Sequence, residues 1–375
     1  MRVLIIFGTR PEAIKLAPVI RELGKRSEFD PRVCVTAQHR EMLDQVLQLF
    51  EIRPDFDLGI MRPDQSLFEV TERALAALEG VLEAERPELV LVQGDTTTAF
   101  VGALAGFYRK IRVGHIEAGL RSHDKFAPFP EEMNRRLADE LSDLLFAPTE
   151  GAKANLLREG FPEERIFVTG NTVIDALLWT VERLESPEAQ ARLVRRFAEL
   201  GLDLEGKRLI LVTAHRRESF GRLGEICHAL RLIAEHNRDV ELVYPVHLNP
   251  QVQGPVWRAL EGTDRVRLLE PLDYESFVWL MSRAYLILTD SGGIQEEAPS
   301  LGKPVLVMRE RTERPEALAA GTAKLVGVGR ERIFQEAQRL LDEPAEYAKM
   351  ARAVNPFGDG HAAERIVSIL KEQLR

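Results

Sequence analysis

Cysteine is scarce in this chain, with only Cys34 and Cys227 among its 375 residues. Both lie in apolar or helical contexts far apart in the sequence, which excludes a disulfide framework and a zinc-ligand spacing. Long hydrophobic runs are also missing: no stretch reaches the length of a transmembrane helix, and the apolar residues 1–7 are too few for a signal peptide. We therefore expect a soluble protein of a reducing compartment, the cytoplasm.

An excess of positive charge is missing as well. The 50 Lys and Arg residues stand against 59 Asp and Glu residues, for a formal net charge of −9. This balance argues against nucleic acid or an anionic membrane surface as the main partner. An anionic small ligand would have to be bound by local arginines. The length is sufficient for two domains of ordinary size.

Short apolar segments alternate with amphipathic segments along nearly the whole chain, which is typical of βαβ units with helices on both faces of a parallel sheet. In the first half the pattern predicts strands at 3–7, 32–36, 89–92, 112–116, 144–147 and 166–169, and helices at 12–26, 40–50 and 66–84. It restarts near 201–207 and predicts strands at 209–213, 240–245, 266–268, 284–288 and 304–307.

This restart predicts an α/β fold of two doubly wound, Rossmann-like domains. The N-terminal domain is expected at 1–170 and the C-terminal domain at 171–357, with a helix in 358–375 packing back on the first domain. Ligands of such sheets bind beyond the carboxyl ends of the strands, so we expect a site in a cleft that the two domains face.

The stretch most informative about function follows the predicted strand at 284–288. Ser291, Gly292 and Gly293 open a helix that carries Glu297. Glycines let the backbone approach a ligand, and a helix start offers N–H groups to an anion. A carboxylate one turn later can accept hydrogen bonds from a ribose diol. These features favour a nucleotide site, and the alternative is an ordinary Gly-rich turn.

Charged residues follow the first-half strands too. Arg10 and Lys15 can face a diphosphate, or simply belong to a solvated helix start. Asp95 is either a site carboxylate or the N-cap of the next helix. Glu117, after the strand at 112–116, is either a site carboxylate or the partner of Arg121 in a structural ion pair.

Two further candidate site residues are Glu131, which follows an irregular segment, and His215, which follows a predicted strand. Glu131 comes after the irregular segment 122–130, and long loops beside a ligand site are often functional. His215 follows the strand at 209–213 beside two arginines. Because no second ligand lies at metal spacing, His215 suits a phosphate or a leaving group better than a metal.

Eight motifs occur in order over nearly the whole chain: GTRPEAIK at 8–15, QHREML at 38–43, VQGDT at 92–96, HIEAGLR at 115–121, PFPEE at 128–132, TAHRRE at 213–218, DSGGIQEEAPSLGK at 290–303 and TERPE at 312–316. By these motifs the chain resembles the non-hydrolysing bacterial UDP-N-acetylglucosamine 2-epimerases. The fold alone would not carry this resemblance.

The resemblance implies a glycosyltransferase-B architecture and a homodimer. It also implies interconversion of UDP-N-acetylglucosamine and UDP-N-acetylmannosamine without NAD or a metal, so no cofactor is expected. In that family UDP is eliminated to leave 2-acetamidoglucal and then adds back, with a proton delivered on the opposite face. The N-acetylmannosamine units would supply a cell-surface polysaccharide.

The resemblance also implies residue roles. Removal of the C2 hydrogen needs a base and delivery from the other face needs an acid; Asp95, Glu117 and Glu131 form the carboxyl cluster, and the sequence leaves their division of labour open. His215 would stabilise the departing UDP. The implied binding residues are Arg10, Ser291, Gly292 and Gly293 at the diphosphate, Glu297 at the ribose, Phe277 near the uracil, Arg314 at the sugar and Lys15 as electrostatic support.

One motif departs from the family pattern. Members that a second UDP-N-acetylglucosamine activates carry a glutamine where this chain has Glu41, and an arginine near the position of Asp64. Gln38 and His247 remain as a remnant of that second site. Because a carboxylate facing a diphosphate-sugar would repel it, the sequence argues against activation by substrate.

Three other functions fit the same scaffold. A glycosyltransferase would release UDP only with an acceptor, and a hydrolysing epimerase would give free UDP and N-acetylmannosamine. A catalytically silent nucleotide-sugar sensor would only bind, and the intact carboxyl cluster argues against it.

Overall fold

The computed structural model describes residues 1–36, 40–62, 65–202, 204 and 206–373, with the side chains of residues 40–42 left out. The chain divides into two compact units: unit 1 is Met1–Ala176 with Phe357–Arg375, and unit 2 is Leu177–Pro356. No helix formed by the described residues has both the length and the apolar content that a membrane crossing requires.

Unit 1 is built on a seven-stranded sheet in the order β3-β2-β1-β4-β5-β6-β7, and every pairing is parallel. Its strands are β1 Arg2–Phe7, β2 Asp30–Val35, β3 Phe56–Asp57, β4 Leu89–Gln93, β5 Arg112–Ile116, β6 Leu144–Ala147 and β7 Ile166–Val168. The helices between them are α1 Arg10–Gly24, α2 Arg40–Leu49, α3 Leu67–Glu85, α4 Thr97–Tyr108, α5 Glu131–Glu140 and α6 Glu150–Arg158. α7, Thr172–Leu184, follows β7 and runs from unit 1 into unit 2.

Unit 2 has the same connectivity on a six-stranded parallel sheet in the order β10-β9-β8-β11-β12-β13. Its strands are β8 Arg208–Thr213, β9 Val240–Pro245, β10 Val266–Leu269, β11 Ala284–Thr289, β12 Val305–Val307 and β13 Ala323–Leu325. Its helices are α8 Pro187–Glu199, α9 Leu223–His236, α10 Pro250–Leu260, α11 Tyr274–Arg283, α12 Gly292–Glu297, α13 Pro315–Ala320, α14 Arg330–Asp342 and α15 Pro344–Ala351.

The central strands form the core of each unit because helices cover both faces of the sheet. In β1, residues 3–7 are fully buried, and so are residues 89–92 of β4. Such strands read as continuous apolar runs rather than as alternating ones. This burial makes them rigid supports for the residues that follow each strand.

The predicted α/β class with two doubly wound units is confirmed, and every predicted strand is present. The structure adds β3 and β13, which are two and three residues long. The units divide at Ala176/Leu177 inside α7 and again at Pro356/Phe357, whereas the sequence suggested boundaries at 170/171 and 357/358.

The chain ends in α16, Ala362–Gln373, which belongs to unit 1. Arg26, just beyond the end of α1, donates to Ser368 Oγ at 3.3 Å, and Lys371 forms an ion pair with Glu28 at 2.6 Å. α16 therefore packs on the helix that follows β1.

Candidate active site

The sheet orders bring the candidate residues of each unit to one place. In unit 1, β1 and β4 are neighbours from which the chain winds in opposite directions, and the β1–α1 and β4–α4 turns lie at their carboxyl ends. In unit 2, β8 and β11 stand in the same relation. A position where the strand order reverses is where open α/β sheets bind ligands. Arg10 and Asp95 follow one such pair of strands, and His215 and Ser291 follow the other.

Glu117 is the most enclosed of the candidate carboxylates, with a side chain 8% exposed. Lys15 Nζ forms an ion pair with Oε1, Asn171 Nδ2 donates to the same oxygen at 3.0 Å, and Gln93 Nε2 donates to Oε2 at 2.6 Å. Donors on both oxygens favour the ionised carboxylate. The Glu117 backbone has a φ of +70°, a left-handed conformation that non-glycine residues rarely adopt.

The alternative that Glu117 pairs with Arg121 is wrong. Arg121 instead forms ion pairs with Asp139 and Glu159, each at 2.7 Å. Lys15, expected as electrostatic support for a diphosphate, lies beside Glu117.

Asp95 is more open than Glu117, with a side chain 35% exposed. Arg135 forms an ion pair with its Oδ2, and Asn134 Nδ2 donates to its backbone carbonyl at 3.0 Å. The alternative that Asp95 caps the next helix is wrong, because Thr96 is the N-cap of α4 and accepts from the amide of Ala99. The Asp95 carboxylate therefore pairs with Arg135 rather than capping α4.

Gly94 precedes Asp95 in the chain and lies beside the Glu117 carboxylate. Its amide donates to the carbonyl of Ile116 at 3.0 Å, and its φ is +74°. A Cβ atom added at Gly94 would lie 3.5 Å from Glu117 Oε2. The residue before Asp95 thus lies against the side chain of Glu117, which brings the two candidate catalytic groups to adjacent strand ends.

Glu131 begins α5 and is half-buried. It lies three and four residues before Asn134 and Arg135, so it is on the helix face that contacts Asp95. The next residue, Glu132, is fully buried and accepts from the amide of Ser122 at 2.9 Å. α5 therefore carries the third candidate carboxylate together with the partners of the first.

Arg10 is the first residue of α1, and a buried carboxylate holds the turn before it. Glu12 Oε2 accepts from the amides of Gly8 and Thr9 at 3.1 and 2.8 Å and from the Thr9 hydroxyl at 2.7 Å. Oε1 accepts from the Thr96 hydroxyl at 2.7 Å. Burial raises the pKa of Glu12, and these hydrogen bonds oppose that rise. Glu12 thus ties the β1–α1 turn to the β4–α4 turn.

In unit 2, buried Asp290 holds the turn that contains His215. Asp290 Oδ2 accepts from the amides of His215 and Arg216 at 2.7 and 2.8 Å. The His215 ring stacks on His247 with centroids 5.4 Å apart. Burial lowers the pKa of His215; the Asp290 charge opposes this, while His247 and Arg216 add to it. His215 is therefore favoured as a neutral imidazole near pH 7.

Two guanidinium groups lie beside the glycines of the β11–α12 turn. A Cβ atom at Gly292 would lie 3.7 Å from Arg314 Nη2 and 3.8 Å from Arg216 Nη2. Ser291 is the N-cap position of α12, and Gly293 follows in the first turn. Arg314 also forms an ion pair with buried Glu296, which fixes the position of its side chain. This turn combines close backbone approach with local positive charge, as an anion site requires.

Glu297 lies at the end of α12, where Tyr274 donates to its Oε2 at 3.2 Å. Phe277 is half-buried on α11, one turn after Tyr274 and on the same face of that helix. The structure therefore brings Phe277 and Glu297 to one region of unit 2.

The remaining predicted positions are only partly described. Gln38 and Asp64 lie outside the described residues, as does the side chain of Glu41. Within the described part of the chain, no three His, Cys, Asp or Glu side chains are grouped so as to hold a metal ion. Cys34 and Cys227 are both buried free thiols.

Sequence reasoning missed several partners of the site. Gln93 and Arg216 lie within the motifs at 92–96 and 213–218 but were given no role of their own, although their positions at strand ends were a usable signal. Asn134 and Arg135 lie four residues or fewer beyond Glu131, and helix periodicity could have placed them on its face. Asn171 had no signal, because only the fold brings the start of α7 to Glu117.

Comparison with known proteins gives a consistent family. A family model described as UDP-N-acetylglucosamine 2-epimerase matches residues 21–371. The chain is 58% identical over 373 residues to a UDP-N-acetylglucosamine 2-epimerase of Yersinia pestis, covering 99% of this chain and 98% of that protein. It is 56% identical over 373 residues to that of Escherichia coli K12, with the same coverage.

Solved structures agree with the sequence comparison. The UDP-GlcNAc 2-epimerase of Neisseria meningitidis bound to UDP-GlcNAc has a TM-score of 0.93 and 51% identity, with 99% of this chain and 100% of that chain covered. The Methanocaldococcus jannaschii UDP-GlcNAc 2-epimerase in complex with UDP-GlcNAc and UDP has a TM-score of 0.82 and 37% identity, with the same coverage.

Proposed function

The chain belongs to the UDP-N-acetylglucosamine 2-epimerase family, and from this premise we propose that it is an isomerase interconverting UDP-N-acetylglucosamine and UDP-N-acetylmannosamine. The C2–H and C1–O bonds break, the C1–C2 double bond of 2-acetamidoglucal forms, and UDP leaves with the C1–O electron pair. UDP then adds back to C1 while a proton is delivered to the other face of C2. One proton is removed from C2 and one is returned to it, so the reaction involves no net oxidation and needs neither NAD nor a metal.

Asp95 and Glu117 carry the two proton transfers at C2, and Glu131 completes the carboxyl cluster. The single observation that supports this most is the position of Asp95 and Glu117 at adjacent strand ends, with Gly94 between them. Each positioned proton transfer contributes roughly 10²–10⁴-fold to the rate. Lys15, Gln93 and Asn171 orient Glu117.

Unit 2 holds the nucleotide. His215, favoured as a neutral imidazole, donates a hydrogen bond to the departing UDP. The Ser291-Gly292-Gly293 turn binds the diphosphate, for which Arg216 and Arg314 supply local positive charge on a chain of net charge −9. Preorganised donors of this kind act on charge that develops as the bond breaks.

The other substrate contacts follow the same arrangement. Glu297 accepts from the ribose hydroxyls, Phe277 lies along the uracil, and Arg314 reaches the sugar. The proximity of Glu297 to the α11 face that carries Phe277 supports assigning one nucleoside to both.

We also propose a cytoplasmic homodimer that supplies N-acetylmannosamine units for a cell-surface polysaccharide. Light scattering of the purified chain tests the dimer: a mass of about twice 42.3 kDa is expected, and a mass of 42.3 kDa would contradict it.

The decisive experiment is incubation with UDP-N-acetylglucosamine alone in D₂O, followed by NMR. The proposal predicts a mixture of the two UDP-sugars with deuterium at C2 of both. Free N-acetylmannosamine would identify a hydrolysing epimerase, and intact protonated substrate would contradict epimerisation and leave a glycosyltransferase that waits for an acceptor or a sensor that only binds. A double variant, Asp95→Asn with Glu117→Gln, prepared in parallel, controls for a contaminating epimerase.

A further inference from the structure

His115 is a buried titratable side chain that the mechanism above does not use. It lies in β5, two residues before Glu117, and is fully buried. Nε2 is 2.8 Å from the carbonyl oxygen of Gly94, and Nδ1 is 2.6 Å from Asp139 Oδ1. Both contacts are within hydrogen-bond distance, and each partner offers an oxygen acceptor. A neutral imidazole has one N–H and could satisfy only one of them.

The second acceptor, the Asp139 carboxylate, has surroundings that suit its ionised form. Asp139, on α5, is also fully buried, and its Oδ2 accepts from the amide of Gly119 at 3.2 Å and pairs with Arg121 at 2.7 Å. Arg121 in turn pairs with Glu159 at 2.7 Å. With His115 cationic, these four side chains form a set of two positive and two negative charges, and buried charges persist when they are paired in this way.

The set contacts both backbone segments that carry the proposed proton-transfer groups. His115 binds the carbonyl of Gly94, which belongs to the peptide bond leading into Asp95. Asp139 binds the amide of Gly119, in the turn that begins with the left-handed Glu117. The buried pair of His115 and Asp139 thus fixes the backbone next to Asp95 and the backbone next to Glu117.

We propose that His115 is a positioning residue that carries protons on both ring nitrogens and so locks the Gly94–Asp95 peptide and, through Asp139, the Glu117–Gly119 turn. The effect of His115 on catalysis rests on the proposed epimerase function. The protonation state and the contacts of His115 do not depend on that function. His115 acts through backbone geometry and touches no substrate in this scheme.

The catalytic arm compares His115→Gln with Asp143→Asn. A glutamine can donate to only one of the two acceptors, so a displaced Asp95 peptide is expected to lower kcat by about 10²-fold while KM and UDP affinity stay within about threefold. Asp143 accepts from the amide of Val113 at 2.9 Å near the other end of β5, so Asp143→Asn perturbs the same strand away from the site. Its kcat should remain near that of the wild-type protein.

A kcat for His115→Gln close to that of the wild-type protein would overturn the proposal, and so would an equal loss in both variants once their melting temperatures match. If the wild-type protein failed to epimerise, the proposed function would fail, and the spectroscopic arm would still test His115.

The spectroscopic arm reads wild-type protein labelled with ¹⁵N in histidine, so its result does not depend on the activity of a variant. The His115 ring is identified as the pair of nitrogen resonances that is absent from the spectrum of His115→Gln, the variant already prepared for the catalytic arm. Two protonated nitrogens at pH 7.5 are the expected result. One unprotonated nitrogen at that pH would overturn the proposal.

Discussion

At the scale of single residues, the two central carboxylates differ in surroundings rather than in chemistry. Glu117 is nearly enclosed and receives hydrogen bonds on both oxygens, whereas Asp95 is 35% exposed and paired with Arg135. Different environments separate acid and base roles between groups of the same type. The C2 hydrogen lies on opposite faces in the two UDP-sugars, so the proposed mechanism assigns its removal to a different carboxylate in each.

This division predicts opposite defects in Asp95→Asn and Glu117→Gln. Each variant should lose at least about 10²-fold in the elimination of UDP from one of the two UDP-sugars and far less from the other, with UDP affinity near normal. The measurement is release of UDP and 2-acetamidoglucal from each substrate separately. Equal losses on both substrates in both variants would show that the carboxylates do not divide the two faces.

Glu297, unlike Asp95 and Glu117, is expected to affect the binding of UDP rather than the rate of proton transfer. Glu297→Ala should weaken UDP binding by about 10-fold, because charge-assisted hydrogen bonds to the ribose are lost. Calorimetric titration with UDP measures this, and Tyr274→Phe, which removes only the hydroxyl donor to Glu297, serves as the matched control with a smaller effect. Unchanged affinity in Glu297→Ala would remove its ribose role.

At the scale of elements, Glu12 joins the turns after β1 and β4 and so supports two strand ends at once. Its pKa is raised, so the folded protein keeps this proton to higher pH than the unfolded chain. The stability that Glu12 contributes is therefore present below its unfolded pKa, near 4.5, and is lost as pH rises through the higher folded value.

Two substitutions test this role of Glu12. Glu12→Gln can still accept from Gly8 and Thr9 while donating to Thr96, so its free energy of unfolding should lie within about 1 kcal/mol of the wild-type value. Wild type should lose stability relative to this variant as pH rises above 4.5. Glu12→Ala leaves buried donors unpaired and should cost about 3 kcal/mol. Denaturant titrations from pH 4.5 to 8 provide the measurement; a pH-independent difference between wild type and Glu12→Gln would contradict the proposed titration.

Sequence reasoning worked where the signal is local. Buried parallel strands are continuous apolar runs, so β1 and β4 could be read directly, and the charged residues after them fell at strand ends. β3 and β13 were missed because two or three residues carry no periodicity. The Glu117–Lys15 and Asp95–Arg135 pairs span 102 and 40 residues, so only the folded chain brings these partners together.

At the scale of the whole molecule, the family assignment rests on sequence similarity that extends over both units rather than on the fold. The six strands of unit 2 repeat the order of the first six strands of unit 1, so topology alone would describe many nucleotide-binding proteins. What distinguishes this chain is which groups lie at those strand ends: Asp95 and Glu117 in unit 1, and His215, Arg216 and the 291–293 turn in unit 2. The carboxylates of unit 1 suit proton transfer, and the groups of unit 2 suit diphosphate binding.

The departure at Glu41 bears on how the whole molecule responds to substrate. A negative charge in place of a neutral amide should repel a second diphosphate-sugar, so initial rates should rise hyperbolically with UDP-N-acetylglucosamine concentration. Glu41→Gln removes that charge and should raise the Hill coefficient above that of wild type, whereas Glu72→Gln, an exposed change on α3, should leave it unaltered. A clearly sigmoidal wild-type curve would mean that Gln38 and His247 belong to a working second site despite the carboxylate.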